Sequence, residues 1–316
     1  MKKIRVGVIG VGYLGQFHAE KYSAMKNADL VGIVDADPAR SAQIAAKLNT
    51  QSFTDPMQLI GLVDAVSIVV PTALHYHVAR TFLEKGVHLL LEKPITVTTE
   101  QADELIDLAT RNRLILQVGH IERFNPAVTA IKPLLEAPRY MTAERSAPFT
   151  VRCTDVNVVL DLMIHDLDIV MDLAGSTPKE VSAAGASVIT SEIDMATARI
   201  VFHNGCVADV MASRVSDEKK RLLRVFDGNQ VYDSDYQLQK AAVSRKEGGS
   251  VPSLHVYDIS TDRRDTLNEE ILAFVSSVQT GMRPLVSGSD GRRALALART
   301  ITECITKGIT GFVPVQ

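Results

Sequence analysis

The chain has no tryptophan and only 5% aromatic residues over 316 positions, and its charges nearly cancel at a formal net charge of -3. A near-neutral balance offers no electrostatic case for nucleic acid or an anionic membrane as the main partner, so an anionic ligand needs a local basic cluster. Cysteine is scarce: Cys153, Cys206 and Cys304 are far apart, odd in number and form no CxxC pair. Neither a disulfide framework nor a cysteine zinc site is expected, and reduced thiols in the cytoplasm fit the pattern. The shortage of aromatics argues against a buried flavin. No apolar run approaches the ~18 residues of a membrane helix. The basic start Met1-Lys2-Lys3-Ile4 is followed by a stretch broken at once by Arg5 and by glycines, and reads as a first strand rather than a signal peptide. What the chain does have is a 46% hydrophobic content and a length that suits two domains.

Short apolar runs at 4–9, 30–34, 65–70, 87–91 and 114–118 alternate with helix-patterned segments near 14–25, 38–48, 73–85 and 99–111. Strands apolar on both faces belong to a parallel sheet covered by helices, and the strand-helix-strand repeat predicts a doubly wound Rossmann sheet. Thr98 ahead of Glu100-Gln101 reads as a helix cap, and Pro38 as a first-turn proline. Beyond residue 120 the grammar changes. Strand-like segments near 139–146, 179–190, 194–202, 205–214, 221–227 and 229–233 are separated by turns such as His203-Asn204-Gly205 and Asp227-Gly228-Asn229. They predict hairpins in an open-faced, mainly antiparallel sheet. A helix over 158–173 interrupts them, two more close the chain near 266–280 and 289–307, and Lys246-Glu247-Gly248-Gly249-Ser250 reads as a mobile loop. The fold class is therefore α/β, with a Rossmann domain over 1–120 and an α/β domain over 121–316. Runs at 181–189, 195–202 and 207–211 carry apolar or small side chains on both parities. The open face is expected to be too apolar for a monomer and to pack across a two-fold axis, in a homodimer or homotetramer.

Gly10-Val11-Gly12-Tyr13-Leu14-Gly15 follows the first strand at GxGxxG spacing and opens a helix. Glycine serves there for the tight turn, for close approach of backbone to pyrophosphate, and for helix-on-strand packing. Alone the motif is weak. Asp35 strengthens it by ending the second strand about 20 residues after the last glycine, where a carboxylate accepts from the adenine ribose hydroxyls. The same carboxylate repels a 2′-phosphate, so NAD is expected over NADP, with Arg40 close enough to blur the preference. Pro71-Thr72-Ala73-Leu74-His75-Tyr76-His77 follows the third long strand, at the carboxyl edge of the sheet where the nicotinamide end would rest. His75 is expected to contact the cofactor or to cap the next helix; His75 with His77 as a metal pair lacks a nearby cysteine or carboxylate cluster. The next strand ends in Glu92-Lys93-Pro94. A lysine just past a buried parallel strand sits in the crevice where ligands bind, and the competing reading is a surface lysine in a strand-to-helix turn. The expected cofactor set is Gly10, Gly12, Tyr13, Leu14, Gly15, Asp35, Pro71, Thr72, His75, Glu92, Lys93, Pro94 and Arg123.

In Val159-Leu160-Asp161-Leu162-Met163-Ile164-His165-Asp166-Leu167-Asp168, helical spacing places Asp161, His165 and Asp168 on one face. A carboxylate one turn from an imidazole orients it and raises its basicity, as a general base needs. A solvated face with helix-stabilising pairs is the plainer reading, but this helix is too apolar to be mostly exposed. A divalent metal held by the three is opposed by the charge of Lys93, and no metal is expected.

The glycine fingerprint, Glu92-Lys93-Pro94, and Asp161 with His165 together resemble the Gfo/Idh/MocA family, the glucose-fructose oxidoreductase and inositol dehydrogenase group. The likeness covers essentially the whole chain. It implies an NAD(P)-dependent oxidation of a secondary alcohol on a sugar or cyclitol, with Lys93, Asp161 and His165 as the catalytic set. Within the family, Val118-Gly119-His120-Ile121-Glu122-Arg123-Phe124-Asn125-Pro126 and 160–168 are most similar to the branch that oxidises C3 of UDP-N-acetylglucosamine. The expected substrate contacts are Lys93, Arg123, Asn125, Arg152, Asp161 and His165. Forming an alkoxide near neutral pH needs a base and a positive donor aimed at the oxygen. His165 and Lys93 fill these roles, in either assignment, on one hydroxyl. For a UDP-sugar the diphosphate has Arg123, Arg145, Arg152, Arg214, Lys219, Lys220 and Arg221 to draw on. Inositol or a simple sugar is the alternative substrate, and a non-catalytic dinucleotide-binding regulator the alternative class, which would not need Lys93, Asp161 and His165 together.

Overall fold

Strand β1 (Ile4–Ile9) is apolar on both faces because it runs through the middle of a sheet. It pairs in parallel with β2 (Ala28–Val34) on one side and with β4 (Ala65–Ile68) on the other, and β3 (Gln51–Phe53) extends the sheet beyond β2. With β5 (His88–Glu92) and β6 (Leu116–Gly119) the order is β3-β2-β1-β4-β5-β6, all parallel. Chain direction across the sheet reverses between β1 and β4, and the crevice at such a switch point is where α/β sheets bind ligands. The crossovers are α1 (Gly15–Ala24), α2 (Pro38–Leu48), α3 (Thr72–Glu84) and α4 (Thr99–Arg111). Two of the helix starts follow the expected chemistry: Thr98 and Gln101 form a reciprocal capping box on α4, and Pro38 opens α2 behind an Asp37 cap. The short β3 was not anticipated, being three residues long and half exposed.

The computed structural model describes residues 3–150, 156–248, 253–309 and 313–315. They pack as two units, Met1–Ile121 with Asp265–Arg292, and Glu122–Arg264 with Arg293–Gln316. The returning segment was expected in the second domain. It carries α7 (Thr266–Thr280), whose Leu267, Ile271, Phe274 and Val275 complete the core around Val6, Val8, Tyr22 and Leu90. A doubly wound sheet needs helices on both faces, and α7 supplies one that lies far along the chain.

In the second unit, α5 (Pro126–Ile131), β7 (Pro138–Ser146), α6 (Ile164–Ala174) and strands β8 (Pro178–Ala186), β9 (Met195–Phe202), β10 (Val207–Ser213), β11 (Lys220–Asp227), β12 (Gln230–Asp235), β13 (Lys240–Glu247) and β14 (Ser253–Ile259) precede α8 (Gly288–Thr306), which belongs to this unit from Arg293 on, and β15 (Val313–Pro314). The sheet order is β14-β13-β12-β11-β7-β10-β9-β8-β15. Every pairing is antiparallel except β7 with β10. One face buries Ala196, Ala198, Ile200 and Phe202 of β9 against α6 and α8, while Thr197 and Arg199 point away. One expectation fails here: Lys246 and Glu247 belong to β13 instead of a loop, and 249–252 fall outside the described residues. On the open face the ion pairs Arg199 with Asp209 and Arg224 with Asp233 lie across the strands.

Candidate functional site

The turn from β1 into α1 uses its three glycines differently. Gly10 has a φ of +85°, and a Cβ there would lie 2.6 Å from the Val69 carbonyl oxygen, so only glycine serves. A Cβ on Gly15 would come 1.8 Å from the Gly10 carbonyl oxygen, so this glycine lets α1 begin against the loop. A Cβ on Gly12 would meet nothing within 4 Å. Open space over Gly12 beside a helix N-terminus is what a pyrophosphate requires, with backbone N–H groups and the positive end of the helix dipole toward it. Tyr13 and Leu14 project from the same turn, exposed, with the Tyr13 ring edge-on to Phe17. Asp35 ends β2 and secures the loop: Oδ2 accepts the Val11 N–H and Oδ1 the Asp37 N–H, each at 2.9 Å, and Arg40 Nη1 lies 3.7 Å from Oδ1. Cradle, helix terminus and strand-end carboxylate fit a dinucleotide.

Lys93 follows β5, half-buried, and its peptide bond to Pro94 is cis. Pro71 is exposed and sits at the N-cap of α3, with Thr72 the first residue of that helix. His75 neither caps α3 nor faces outward. It is 1% exposed, with Nδ1 2.8 Å from the Pro94 carbonyl oxygen and Nε2 2.9 Å from that of Val70, so it ties the loop after β5 to the end of the preceding strand. Burial holds its pKa below the ordinary histidine value, against the opposing pull of the two carbonyls. Among the described residues neither His75 nor His77 belongs to a group of three His, Cys, Asp or Glu close enough to hold an ion. The Glu92 carboxylate, expected at the cofactor, turns inward. Its Oε1 lies 3.3 Å from His18 Nε2, its Oε2 accepts the Lys93 N–H at 3.2 Å, and it packs so closely on Gly119 that a Cβ there would come within 2.7 Å.

In the second unit Asn157 Oδ1 accepts the N–H groups of Val159 and Leu160 and starts a helix. The expected single α-helix begins instead with a π turn, Val159–Met163, which runs directly into α6. Asp161 lies in the π turn and His165 in the first turn of α6, both half-buried. Single π turns inside helices are frequent at functional sites. Asp168 leaves the expected shared face: it is 2% exposed and 3.3 Å from Arg123 Nη1.

That pairing corrects the reading of Arg123, which is 7% exposed and also holds Asp172 at 2.9 Å. Both carboxylates neutralise it inside the unit, so its charge is not displayed to a ligand. Asn125 is likewise committed. Its Oδ1 caps α5 at Ala127, and its Nδ2 donates to Glu122 at 2.9 Å and to the Tyr236 carbonyl at 3.0 Å. Arg145 is buried between Asp166 at 2.6 Å and Glu122 at 3.1 Å, and despite burial these carboxylates raise its pKa. Arg214 faces Asp194 at 3.4 Å, and Lys220 faces Glu144 and Glu218. Arg221 shares Glu122 with Arg145 at 3.2 Å, and exposed Lys219 has its pKa lowered first by Arg221. Among the described members of this basic set, positive charge is in excess at this last pair. Arg152 and Cys153 lie outside the described residues.

Two profiles of one family match this chain: an oxidoreductase NAD-binding Rossmann fold over 4–120 and an oxidoreductase C-terminal α/β domain over 154–310. The chain belongs to the Gfo/Idh/MocA family. Its cofactor is accordingly NAD(H), in agreement with the glycine cradle and Asp35. Among family members, UDP-N-acetylglucosamine 3-dehydrogenase of Acidithiobacillus ferrooxidans is 42% identical over 94% of this chain and 96% of that protein. A solved structure of that enzyme superposes with a TM-score of 0.92 at 39% identity, covering 97% of this chain and 99% of the other. Myo-inositol 2-dehydrogenase of Thermotoga maritima is 29% identical over 93% of this chain and 94% of that protein.

Proposed function

We propose that the protein is an NAD-dependent dehydrogenase that oxidises the C3 hydroxyl of UDP-N-acetylglucosamine, or of a closely related UDP-sugar, to the 3-keto sugar. The observation that carries this reading is the 42% identity, sustained over 94% of the chain, to a UDP-N-acetylglucosamine 3-dehydrogenase. The inositol dehydrogenase likeness, at 29% over a similar span, supports inositol or a simple sugar as the second choice. NAD, when bound, supplies the hydride acceptor. The chain must supply the rest: a base for the hydroxyl proton and a positive group toward the developing alkoxide. Lys93 and His165 take these two parts, with Asp161 orienting the imidazole. With Arg123 and Arg145 neutralised by buried carboxylates, Lys219 and Arg221 are the basic residues best placed in charge terms to meet a diphosphate.

The first unit is the NAD-binding domain and the second the substrate-binding and oligomerisation domain of a cytoplasmic enzyme. The outward face of the second sheet combines Tyr140, Met211, Leu222 and Phe226 with crossed Arg-Asp pairs. That mixture suits a sheet-to-sheet contact between copies, since interfaces favour aromatic, Met and Arg side chains over a purely apolar surface. No helix among the described residues is long and apolar enough to cross a membrane. The test of function is NAD reduction with a panel of UDP-N-acetylhexosamines, free hexoses and inositols. Turnover of inositol in preference to every UDP-sugar would overturn the substrate assignment.

A further inference from the structure

Glu270 stands on α7 among Leu267, Ile271 and Phe274, 0% exposed, and neither of its carboxyl oxygens has a hydrogen-bond partner. The groups around it come from four other elements. Helix α1 contributes His18 and Tyr22, β4 contributes Ser67, β5 contributes Glu92 with Lys93 next in the chain, and β6 contributes Gln117, whose Nε2 donates to the Glu270 backbone carbonyl at 3.0 Å. Nitrogen or oxygen atoms of His18, Glu92 and Glu270 lie within 4.8 Å of one another. Two carboxyl groups that close in a core do not both ionise. The geometry decides which one carries the charge. Glu92 has His18 Nε2 at 3.3 Å, the Lys93 N–H at 3.2 Å and the Lys93 ammonium nearby, whereas Glu270 has no donor. Burial and the Glu92 charge push the Glu270 pKa well above the carboxylate range, while Glu92, despite burial, is held below it by His18 and Lys93. His18 Nδ1 in turn lies 3.3 Å from Ser67 Oγ, which is 2.8 Å from the Tyr22 hydroxyl.

We propose that Glu92 is a positioning residue for Lys93, and that Glu270 is the proton-bearing partner that leaves Glu92 the single ionised carboxylate of a buried cluster joining α1, β5 and α7. The proposal rests on the reading of Lys93 as a group that acts on the substrate. Its consequence is mechanical: the helix opened by the glycine loop and the strand that leads into Lys93 share one polar contact, His18 Nε2 to Glu92 Oε1 at 3.3 Å, so the lysine is held in register with the cofactor cradle.

The test compares wild type, Glu92→Gln, Glu270→Gln and Lys93→Met, with NAD and UDP-N-acetylglucosamine as probes, together with thermal midpoints as a function of pH. Glu92→Gln keeps the shape and an acceptor for the Lys93 N–H but removes the charge. It is expected to lower kcat by about 10- to 100-fold, the scale of a misplaced reacting group, while NAD affinity holds. Glu270→Gln mimics the protonated acid and keeps kcat near wild type. A carboxyl whose folded pKa lies above its unfolded value stabilises below the unfolded pKa, and that stability is lost as pH rises through the folded one. Wild type should therefore lose thermal stability on the alkaline side more steeply than Glu270→Gln. If Glu92→Gln does not fold, His18→Gln, which can still donate to Glu92, should retain kcat where His18→Leu loses it. Full kcat in Glu92→Gln, or equal kcat in the two His18 variants, with Lys93→Met inactive, overturns the positioning role and leaves the proposed function standing. A fully active Lys93→Met overturns the reading beneath both. Parallel pH curves for wild type and Glu270→Gln, or a stoichiometric divalent cation in elemental analysis of the purified protein, overturn the protonated Glu270.

Discussion

Replacing Asp35 by alanine should damage cofactor choice and loop order together, and the structure lets the two be separated. Both carboxylate oxygens are engaged, accepting the Val11 and Asp37 N–H groups at 2.9 Å, and the side chain is only 10% exposed. Hydrogen bonds to a charged acceptor contribute ~1.5–3 kcal/mol each; with water replacing part of them, the loss of stability should be about 1–3 kcal/mol. For a protein of this size that lowers the melting temperature by roughly 2–5 °C. Losing the ribose hydroxyl contact proposed for Asp35 should cost a similar amount in binding, or about 10- to 100-fold in the NAD dissociation constant. NADP should behave oppositely. The variant removes the repulsion of a 2′-phosphate and frees Arg40, now 3.7 Å from Asp35, to meet it. Asp35→Asn keeps the shape without the charge, so it should narrow the gap between cofactors with a smaller loss of stability. Calorimetric titration of both cofactors into the three proteins, alongside melting curves, decides the matter. A wild type that binds NADP more tightly than NAD would refute the reasoning, and equal weakening of both cofactors in Asp35→Ala would show that the residue acts through the loop alone.

Lys93→Met and His165→Asn should each lower turnover by ~100-fold or more while NAD still binds, and near-normal turnover in either removes that residue from the mechanism. Arg123→Ala should destabilise by about 3–5 kcal/mol, because Asp168 is left buried without its cation, with the KM for the sugar unchanged; a selective rise in KM at constant melting temperature would put Arg123 back in the binding site. Asp194 is buried, which alone would raise its pKa, yet the N–H groups of Val188, Ile189 and Thr190 with the Thr190 hydroxyl hold it far below the usual value. A depressed pKa stabilises above the unfolded value, so Asp194→Asn should be less stable than wild type at neutral pH and the two should converge below about pH 4; a constant difference across that range is the contrary result. Light scattering at low micromolar concentration should show a dimer or tetramer, and a strict monomer would show that the open sheet face is not an interface.

The Rossmann sheet was legible because each of its signals is local. The run Ala65–Ile68 is buried at every position, which only a strand covered on both faces tolerates, and the glycines of 10–15 announce a turn whose constraints the structure reproduces one by one. What stayed illegible depends on distance along the chain. Helix α7 has an ordinary amphipathic pattern, and nothing local says that it packs against β1 instead of the sheet that precedes it in sequence. Strand β13 ends in Ser244-Arg245-Lys246-Glu247, whose composition suits a loop, but it is held between β12 and β14 by a full ladder of backbone pairs. Tertiary pairing overrides propensity there.

Lys93, Asp161 and His165 stood out as candidates for the same reason, whereas the buried partners of Arg123, Asn125 and Glu92 were not foreseen. A charged residue at the end of a strand or on an apolar helix stands out from its neighbours, and that contrast is visible in the sequence itself. Whether the charge faces a ligand or a buried counter-charge is set by residues elsewhere: Arg123 meets Asp168 and Asp172, and Glu92 meets His18. Burial makes each of these pairings close to obligatory, since an unpaired ion in a core costs several kcal/mol. Glu270 carried the one local signal that was missed, a carboxylate on the apolar face of α7 beside Ile271 and Phe274, where periodicity predicts a hydrocarbon. A titratable residue on the wrong face of a helix therefore marks a buried network by its position in the sequence pattern, and here that network lies directly beneath the strand that presents Lys93.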